Sequence, residues 1–193
     1  MKGVKTTSDY IPWSDAINVV HKLYRDKNYV MSLFVATGIM TGLRVTDLRS
    51  LKWNQLLQGG ILTITEHKTK KERQIKLNPD YVEHVKSCYV AMGIKNPGEF
   101  CFMSQKKTVI SIQWFNRLLK DVKKKYKLPV KRISCHSLRK TMGRHIWESN
   151  PENAELSLLL LSEIYSHQNL QCTRRYLGLK TEEILSAYDL LSF

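Results

Sequence analysis

The sequence lacks the segments that mark a membrane protein, a secreted protein or a metal-binding protein. No apolar run approaches the roughly 18 residues of a membrane-spanning helix, since the longest, residues 156–161, is short and is interrupted by Ser157. Residues 1–15 are predominantly polar and do not resemble a signal peptide. The four cysteines are widely spaced and form no Cys-x-x-Cys pair, which argues against a disulfide framework or a zinc site. We therefore expect a soluble cytoplasmic protein with reduced thiols and no metal.

Acidic residues are also scarce. The chain has 17 Asp and Glu against 31 Lys and Arg, which gives a formal net charge of +14 over 193 residues. The length fits one domain, and a hydrophobic fraction of 42% is enough for a folded core. Such an excess of positive charge favours a polyanionic partner, most often nucleic acid, with a membrane surface as the alternative.

Hydrophobic spacing predicts a mostly helical α+β fold. Apolar residues at helical intervals predict helices over residues 28–39, 44–51, 111–126, 134–148, 154–165 and 181–191. Residues 61–65 and 73–77 predict the two strands of a small antiparallel sheet, joined by a strongly cationic turn over residues 67–72. A further short buried strand is predicted at residues 100–103.

Groups suited to phosphodiester chemistry recur along the chain. His136 and Arg139 are three residues apart on a predicted helix and so share one face. His167 and Tyr176 follow, and Arg44 ends a Thr-Gly-Leu-Arg segment far upstream. Arginines can bind the non-bridging oxygens of a phosphate in pairs of hydrogen bonds, and a tyrosine can act as an oxygen nucleophile. This combination predicts DNA strand cleavage through a covalent protein–DNA link.

Taken in order, these groups resemble those of the tyrosine recombinases, also called the phage integrase family. The resemblance runs from about residue 9 to the C-terminus and includes the segment Ala-Thr-Gly-Ile-Met-Thr-Gly-Leu-Arg-Val-Thr-Asp-Leu at residues 36–48. It also includes the turn Glu-His-Lys-Thr-Lys-Lys-Glu-Arg at residues 66–73 and the nine-residue interval from His167 to Tyr176. A single His-x-x-Arg recurs by chance in many proteins, whereas the ordered set is specific. The resemblance implies the helical catalytic fold of that family.

The resemblance also implies roles for the side chains that match the family's motifs. Tyr176 would attack the scissile phosphorus and form a 3′-phosphotyrosine bond, which releases a 5′-hydroxyl. His136 would accept the proton of the phenol, because an unperturbed phenol with a pKa of about 10 is a poor nucleophile at neutral pH. Arg44 and Arg139 would bind the two non-bridging oxygens and neutralise charge in the transition state.

The leaving group and the surroundings of the phosphate involve further residues. Lys68 would protonate the departing 5′-oxygen, with Lys70 in the same turn as the alternative, and His167 would donate a hydrogen bond to the phosphate. Asp47, three residues after Arg44, is expected either to orient an active-site group or to serve as an acid at a helix N-terminus. The resemblance implies no metal and no ATP, because the cationic side chains supply charge and the phosphotyrosine conserves the energy of the broken bond.

Some positions lie outside these motifs or depart from them. Lysines that could contact the DNA backbone occur in the hairpin turn and at the end of the predicted helix 111–126: Lys70, Lys71, Lys123, Lys124 and Lys125. His67 has no motif support and is interpreted as a surface or packing residue. Ser166 stands where the family usually has glycine, and Tyr165 where it often has an aliphatic residue, so these departures concern the backbone around His167.

The resemblance leads to expectations about domains and partners. We expect one catalytic domain over residues 1–193 with a C-terminal helix over 181–191, acting on double-stranded DNA as a homotetramer and existing as a monomer when free. The N-terminal clamp domain usual in the family is missing, which we interpret as an excised fragment or, alternatively, a naturally short recombinase. The expected setting is a bacterial or phage-encoded, nucleoid-associated protein of a mobile element. Alternative functions are a type IB topoisomerase-like nicking-closing enzyme and a non-catalytic DNA-binding regulator of the same fold.

Overall fold

The computed structural model describes residues 8–191, apart from the side chains of Lys180, Thr181 and Glu183. The described chain divides into two compact units, one ending at Met142 and the other beginning at Gly143. It is mostly helical with one two-stranded antiparallel sheet, which confirms the predicted fold class. Within residues 8–191, no helix combines the length and the apolar character needed to cross a membrane. The expectation of a single catalytic domain stays a prediction.

The elements of the first unit are α1 (Trp13–Arg25), α2 (Tyr29–Thr41), α3 (Val45–Leu48), α4 (Trp53–Leu57), β1 (Ile61–Thr65), β2 (Glu72–Lys76), α5 (Pro79–Ala91) and α6 (Ile112–Tyr126). Helix α7 (Cys135–Glu148) begins in this unit and ends in the second. The second unit continues with a short 3-10 helix (Pro151–Asn153), α8 (Ala154–Tyr165), α9 (Leu170–Leu177) and α10 (Leu179–Tyr188).

Helix α2 is the central element of the first unit. Ten of its residues are buried, including every position from Met31 to Ile39. A helix buried on all sides must satisfy its own polar groups, and the Thr37 hydroxyl does so by donating to the Leu33 carbonyl at 2.7 Å. The helix ends at Gly42, whose φ of 56° lies in the left-handed region that favours glycine. This ending directs the chain into the Leu43-Arg44 segment.

The core around α2 is aromatic. Phe34 of α2 stacks on Phe115 of α6 with ring centroids 3.7 Å apart, and Phe102 packs edge-on against both rings. Trp53 of α4 is fully buried against Tyr89 of α5. The rings of Phe102 and Phe115 hold Phe34 and thus α2 in place, and Arg44 follows the end of that helix.

The β-hairpin holds the cationic turn in a defined shape. Strands β1 and β2 pair antiparallel, with Leu62 opposite Ile75 and both side chains buried. At the end of the hairpin the Glu66 N–H donates to the Lys71 carbonyl and the Lys70 N–H donates to the Glu66 carbonyl, each at 2.9 Å. Lys70 adopts a left-handed φ of 58°, which closes the turn within residues 66–71. The turn is therefore a hydrogen-bonded structure rather than an open loop.

Several predicted elements differ from the observed ones. The short helix predicted over residues 44–51 covers only Val45–Leu48, and the strand predicted at residues 73–77 is observed at Glu72–Lys76. The terminal helix predicted over residues 181–191 is observed as Leu179–Tyr188. Residues 100–103 form no continuous strand: within the described chain, Phe100 pairs with Lys52 and Met103 with Val109 as isolated bridges. Because these bridges lead to two different partners, no ladder can extend along the segment.

Helices α2 and α7 pack closely at Gly38 within the first unit. A Cβ atom added there would lie 2.6 Å from Leu138 Cδ1 and 2.8 Å from Leu138 Cβ. Alanine favours a helix interior over glycine by about 1 kcal/mol, but the overlap forces the two helices apart. We expect Gly38→Ala to lower the free energy of unfolding by about 1–3 kcal/mol, as overpacked cores do. Chemical denaturation measures this change.

The matched control is Gly98→Ala. A Cβ atom at Gly98 meets only the flexible Asn96 side chain, at 3.1 Å. This variant should stay within about 0.5 kcal/mol of the unmodified protein. If Gly38→Ala unfolds at the same denaturant concentration as Gly98→Ala, the close contact between the two helices is contradicted.

Candidate active site

Arg44 is positioned by the junction of α2 and α3. Its backbone is extended and its carbonyl accepts the N–H groups of Asp47 and Leu48 at 2.9 and 2.8 Å, which starts α3. The guanidinium Nη1 donates to Glu66 Oε2 at 2.6 Å, and 19% of the Arg44 side chain remains exposed. The Arg44 guanidinium is therefore held by Glu66 of the hairpin, and the Arg44 backbone is held by the first turn of α3.

Glu66 is the centre of this polar cluster, although only 1% of it is exposed. Its Oε2 also accepts the Thr69 hydroxyl at 2.8 Å, and its Oε1 lies 3.7 Å from Nη1 of Arg73. Burial raises the pKa of the Glu66 carboxyl, but hydrogen bonds from Thr69 and Arg44 and the charges of Arg44 and Arg139 outweigh burial and lower the pKa overall. The carboxyl group is therefore ionised at neutral pH.

Arg139 lies on the same part of the first unit. Its side chain is 4% exposed, and its Nη1 donates to the carbonyl of Gly42, two residues before Arg44. The structure thus brings two predicted site residues, Arg44 and Arg139, to the segment at which α2 ends. His136 precedes Arg139 by one turn of α7 and is exposed.

The electrostatic surroundings of His136 favour a neutral imidazole. Partial desolvation lowers its pKa below the ordinary histidine value, and the positive charges of Arg139 and Lys140 lower it further. A neutral imidazole can accept a proton, whereas an imidazolium cannot. His136 is therefore in the protonation state that a general base requires near neutral pH.

Asp47 orients the start of the hairpin turn. The aspartate is 2% exposed, and its Oδ1 accepts the backbone N–H of His67 at 2.8 Å and lies 3.1 Å from His67 Nδ1. The His67 ring itself is 63% exposed, as expected of a surface residue. Asp47 thus contacts the segment immediately before Lys68 and is also the acid in the first turn of α3, so both predicted roles stay predictions.

The lysines of the turn differ from those at the end of α6. Lys68, Lys70 and Lys71 are exposed beside the Glu66 cluster. Lys123 donates to the Lys131 carbonyl at 2.7 Å, and Lys125 forms an ion pair with Asp26. Exposed ion pairs of this kind contribute little and can be exchanged for a phosphate, so the α6 lysines stay predicted backbone contacts.

His167 and Tyr176 come together in the second unit. Their ring centroids lie 5.3 Å apart at 72°, and Thr173 Oγ1 lies 3.0 Å from His167 Nδ1. Both Thr173 and Tyr176 are on α9, whose first turn is capped by the Asn169 side chain. Helix α9 was not predicted from the sequence, and its eight residues place the tyrosine and the partner of the histidine on one element.

Tyr165 completes this aromatic cluster. Its fully buried ring lies 5.3 Å from the His167 ring and 5.4 Å from the Tyr176 ring. A Cβ atom at Gly143 would overlap the Tyr165 hydroxyl and lie 2.7 Å from Leu177 Cδ2. Glycine at 143 therefore makes the room that a tyrosine at 165 needs, which accounts for one departure from the family pattern.

Glu66, Thr69 and Arg73 were not predicted from the sequence to take part in the site. All three lie in or beside the hairpin turn, where the sequence signal was an acid two residues before Lys68. Within residues 8–191, no group of three or more His, Cys, Asp or Glu side chains is arranged to hold a metal ion.

The fold is that of the catalytic domains of tyrosine recombinases. XerA recombinase matches with a TM-score of 0.71 at 19% identity, over 98% of this chain and 68% of that chain. The Tn1549 transposon integrase in complex with transposon right end DNA matches with a TM-score of 0.69 at 16% identity, over 96% of this chain and 68% of that chain. At such identities these likenesses establish the fold.

Sequence comparison defines the family. A protein of Bacillus subtilis (strain 168) described as probable integrase/recombinase YoeC is 28% identical over 185 residues, which are 89% of this chain and 93% of that protein. The sequence model of the Phage integrase family matches residues 15–183, and the chain therefore belongs to that family. It is a tyrosine-type site-specific recombinase, an enzyme of DNA recombination and integration.

Proposed function

We propose that the protein cleaves and rejoins DNA strands through a covalent 3′-phosphotyrosine intermediate on Tyr176. The supporting observation is the pair of guanidinium groups at the end of α2, where Arg44 begins α3 and Arg139 binds the Gly42 carbonyl. Two guanidinium groups held beside one segment, from the start of α3 and from α7, suit the two non-bridging oxygens of one phosphate. Their charge offsets the negative charge that grows in the pentacoordinate transition state.

The remaining groups supply proton transfer and orientation. His136 accepts the phenolic proton of Tyr176, consistent with its lowered pKa. Lys68 protonates the 5′-oxygen as it leaves, with exposed Lys70 as the alternative. His167, whose ring is fixed by Thr173, donates to the phosphate. The reaction as proposed draws its positive charge from side chains and its energy for rejoining from the phosphotyrosine bond.

The proposed partner is double-stranded DNA, bound by a homotetramer in the cytoplasm. The net charge of +14 supports a polyanionic partner, and Lys70, Lys71 and the lysines at 123–125 are the proposed backbone contacts. Helix α10 exposes Ile184, Leu185 and Tyr188, large apolar side chains that a neighbouring protomer would cover. The free protein is proposed to be monomeric.

Covalent capture tests the proposed function. The protein is incubated with a randomised duplex pool, adducts that survive denaturation are recovered, and the attached DNA is sequenced to define a site. A nicked suicide substrate with that site then traps the intermediate, and mass spectrometry of the digested adduct should find the nucleotide on the peptide that contains Tyr176. Strand-exchange products support a recombinase, whereas relaxation of supercoils alone would indicate the topoisomerase-like alternative. DNA binding without any adduct would indicate the regulator.

The protonation of His136 predicts the pH dependence of cleavage. A general base is active when neutral, so the rate should fall on the acidic side of the pH profile as His136 becomes protonated. Because the His136 pKa is lowered, the midpoint of this acidic limb should lie below the ordinary histidine pKa of about 6.5. Single-turnover adduct formation across pH 5 to 8, roughly the range over which histidine titrates, measures this limb.

His136→Gln is the control for this assignment. The variant should be slower at every pH and should lose the acidic limb, because the remaining histidines do not act as the base. An acidic limb with its midpoint above pH 6.5, roughly the ordinary histidine pKa, or one that persists in His136→Gln, would assign the base to another group.

A further inference from the structure

We propose that Glu66 is a positioning residue that sets Arg44 and the Lys68 turn in a fixed relation before DNA binds. This inference rests on the proposed function, since it concerns how the phosphate-binding arginine and the proton donor are arranged. A single buried carboxylate oxygen, Oε2, accepts Arg44 at 2.6 Å and the Thr69 hydroxyl at 2.8 Å. One atom therefore joins the arginine to the residue that follows Lys68.

The backbone of Glu66 strengthens this connection. Its N–H donates to the Lys71 carbonyl and its carbonyl accepts the Lys70 N–H, so the far end of the turn is bonded to the residue whose side chain holds Arg44. A shift of the turn would move the Glu66 backbone and break the alignment of its carboxylate. The exposed Lys68 thus projects from a turn that is tied to the arginine by side-chain and main-chain hydrogen bonds.

The charge balance of the cluster is consistent with this role. Arg44 and Arg73 lie against the Glu66 carboxylate, and the charge of Arg139 also acts on it. One negative charge among three positive charges leaves the cluster net positive, so Glu66 can orient an arginine without cancelling the attraction for a phosphate. Because part of the Arg44 side chain stays exposed, it can still bind a ligand while Glu66 holds it.

The connection has two parts that can be separated by mutation. Thr69→Val removes the hydroxyl that donates to Glu66 and that also accepts the Lys71 N–H at 3.4 Å, and it leaves every charge in place. Glu66→Gln keeps the shape but weakens the hold on Arg44 as well as on Thr69. We expect Thr69→Val to slow single-turnover adduct formation by about tenfold and Glu66→Gln by about a hundredfold, because small misplacements of catalytic groups have effects of this size.

A modified substrate distinguishes positioning from general destabilisation. A sulfur atom in place of the scissile 5′-oxygen makes a leaving group that departs without a proton, so the position of Lys68 no longer matters. On this substrate Thr69→Val should recover to the rate of the unmodified protein, while Glu66→Gln should recover only in part, because its arginine is still misplaced. A purely structural role would slow the variants equally on both substrates.

Glu72→Gln provides the matched control, since Glu72 is an exposed acid of the same hairpin. It should cleave both substrates at the unmodified rate. Two results would overturn the inference while leaving the proposed function intact. In the first, Thr69→Val and Glu66→Gln cleave the oxygen substrate as fast as Glu72→Gln does. In the second, each variant is slowed equally on both substrates. If the unmodified protein forms no adduct, the proposed function fails and the inference fails with it. Thr69→Val alone decides the matter if Glu66→Gln does not fold.

Discussion

We expect Tyr176→Phe to bind DNA with unchanged affinity and to form no covalent adduct. The substitution removes one oxygen atom and keeps the ring that packs against Tyr165 and His167, so α9 retains its contacts. Without the oxygen no phosphotyrosine bond can form. Loss of an essential nucleophile elsewhere lowers turnover by about 10⁶-fold, and a comparable loss is expected here. Trapping on the suicide substrate measures the adduct, and fluorescence anisotropy measures binding.

Two other tyrosines serve as controls for this prediction. Tyr29→Phe alters a half-buried residue at the start of α2 that has no proposed role and should leave adduct formation unchanged. Tyr165→Phe removes the hydroxyl of the ring that contacts Tyr176. It tests whether the Tyr165 oxygen, rather than the Tyr176 oxygen, forms the bond to phosphorus. A denaturation-resistant adduct that persists in Tyr176→Phe would show that the nucleophile has been assigned to the wrong residue.

Local sequence patterns predicted most of the helices and strands. A helix or strand that buries one face carries apolar residues at a regular interval, and this interval can be read from the sequence. Helix α6 and helix α8 begin and end within one residue of the predicted bounds. In α6 the Ser111 hydroxyl accepts the Trp114 N–H, and Lys127 ends the helix in a left-handed conformation. Such signals lie within a few residues of the helix ends, so they can be read without knowledge of the fold.

Contacts between distant segments could not be predicted in this way. The Glu66 carboxylate meets Arg44 across 22 positions of the chain, and the Arg139 guanidinium meets the Gly42 carbonyl across 97. Sequence spacing carries no information about such distances, because they depend on how α2, α7 and the hairpin pack. The family resemblance supplied the arginines and included Glu66 in the hairpin turn, but it gave no indication that this acid contacts Arg44.

Ser166 illustrates a departure that the structure explains. The residue ends α8 with a φ of 51°, in the left-handed region where glycine is favoured and other residues are strained. The Ser166 N–H donates to Glu163 and the His167 N–H to Ser162, at 2.9 and 3.0 Å. The backbone geometry usual for glycine is therefore kept with serine, and these two hydrogen bonds offset the strain. The orientation of His167 follows from this turn rather than from the identity of residue 166.

The second large effect is expected on replacing the guanidinium groups while keeping their charge. Arg44→Lys and Arg139→Lys should each reduce single-turnover adduct formation by about 10²–10³-fold, the usual result of removing one transition-state donor. A lysine ammonium is a point charge that cannot present two parallel N–H groups to a phosphate. Its three N–H groups lie on one atom, so it cannot keep the bond to Glu66 or to the Gly42 carbonyl and still offer two parallel donors to the phosphate. DNA affinity should fall by much less, because the net charge is unchanged.

Arg49→Lys is the matched control, since Arg49 directly follows α3 and is partly exposed. Arg49→Lys should cleave at the unmodified rate.

The two site variants should differ in stability, because Arg139 is 4% exposed and bonded to a backbone carbonyl, whereas Arg44 has 19% of its side chain exposed. Arg139→Lys should therefore unfold at lower denaturant concentration than Arg44→Lys, and rates are compared where both are fully folded. If both site variants cleave within about threefold of Arg49→Lys, a difference under 1 kcal/mol in the barrier, the two guanidinium groups do not form the phosphate-binding pair.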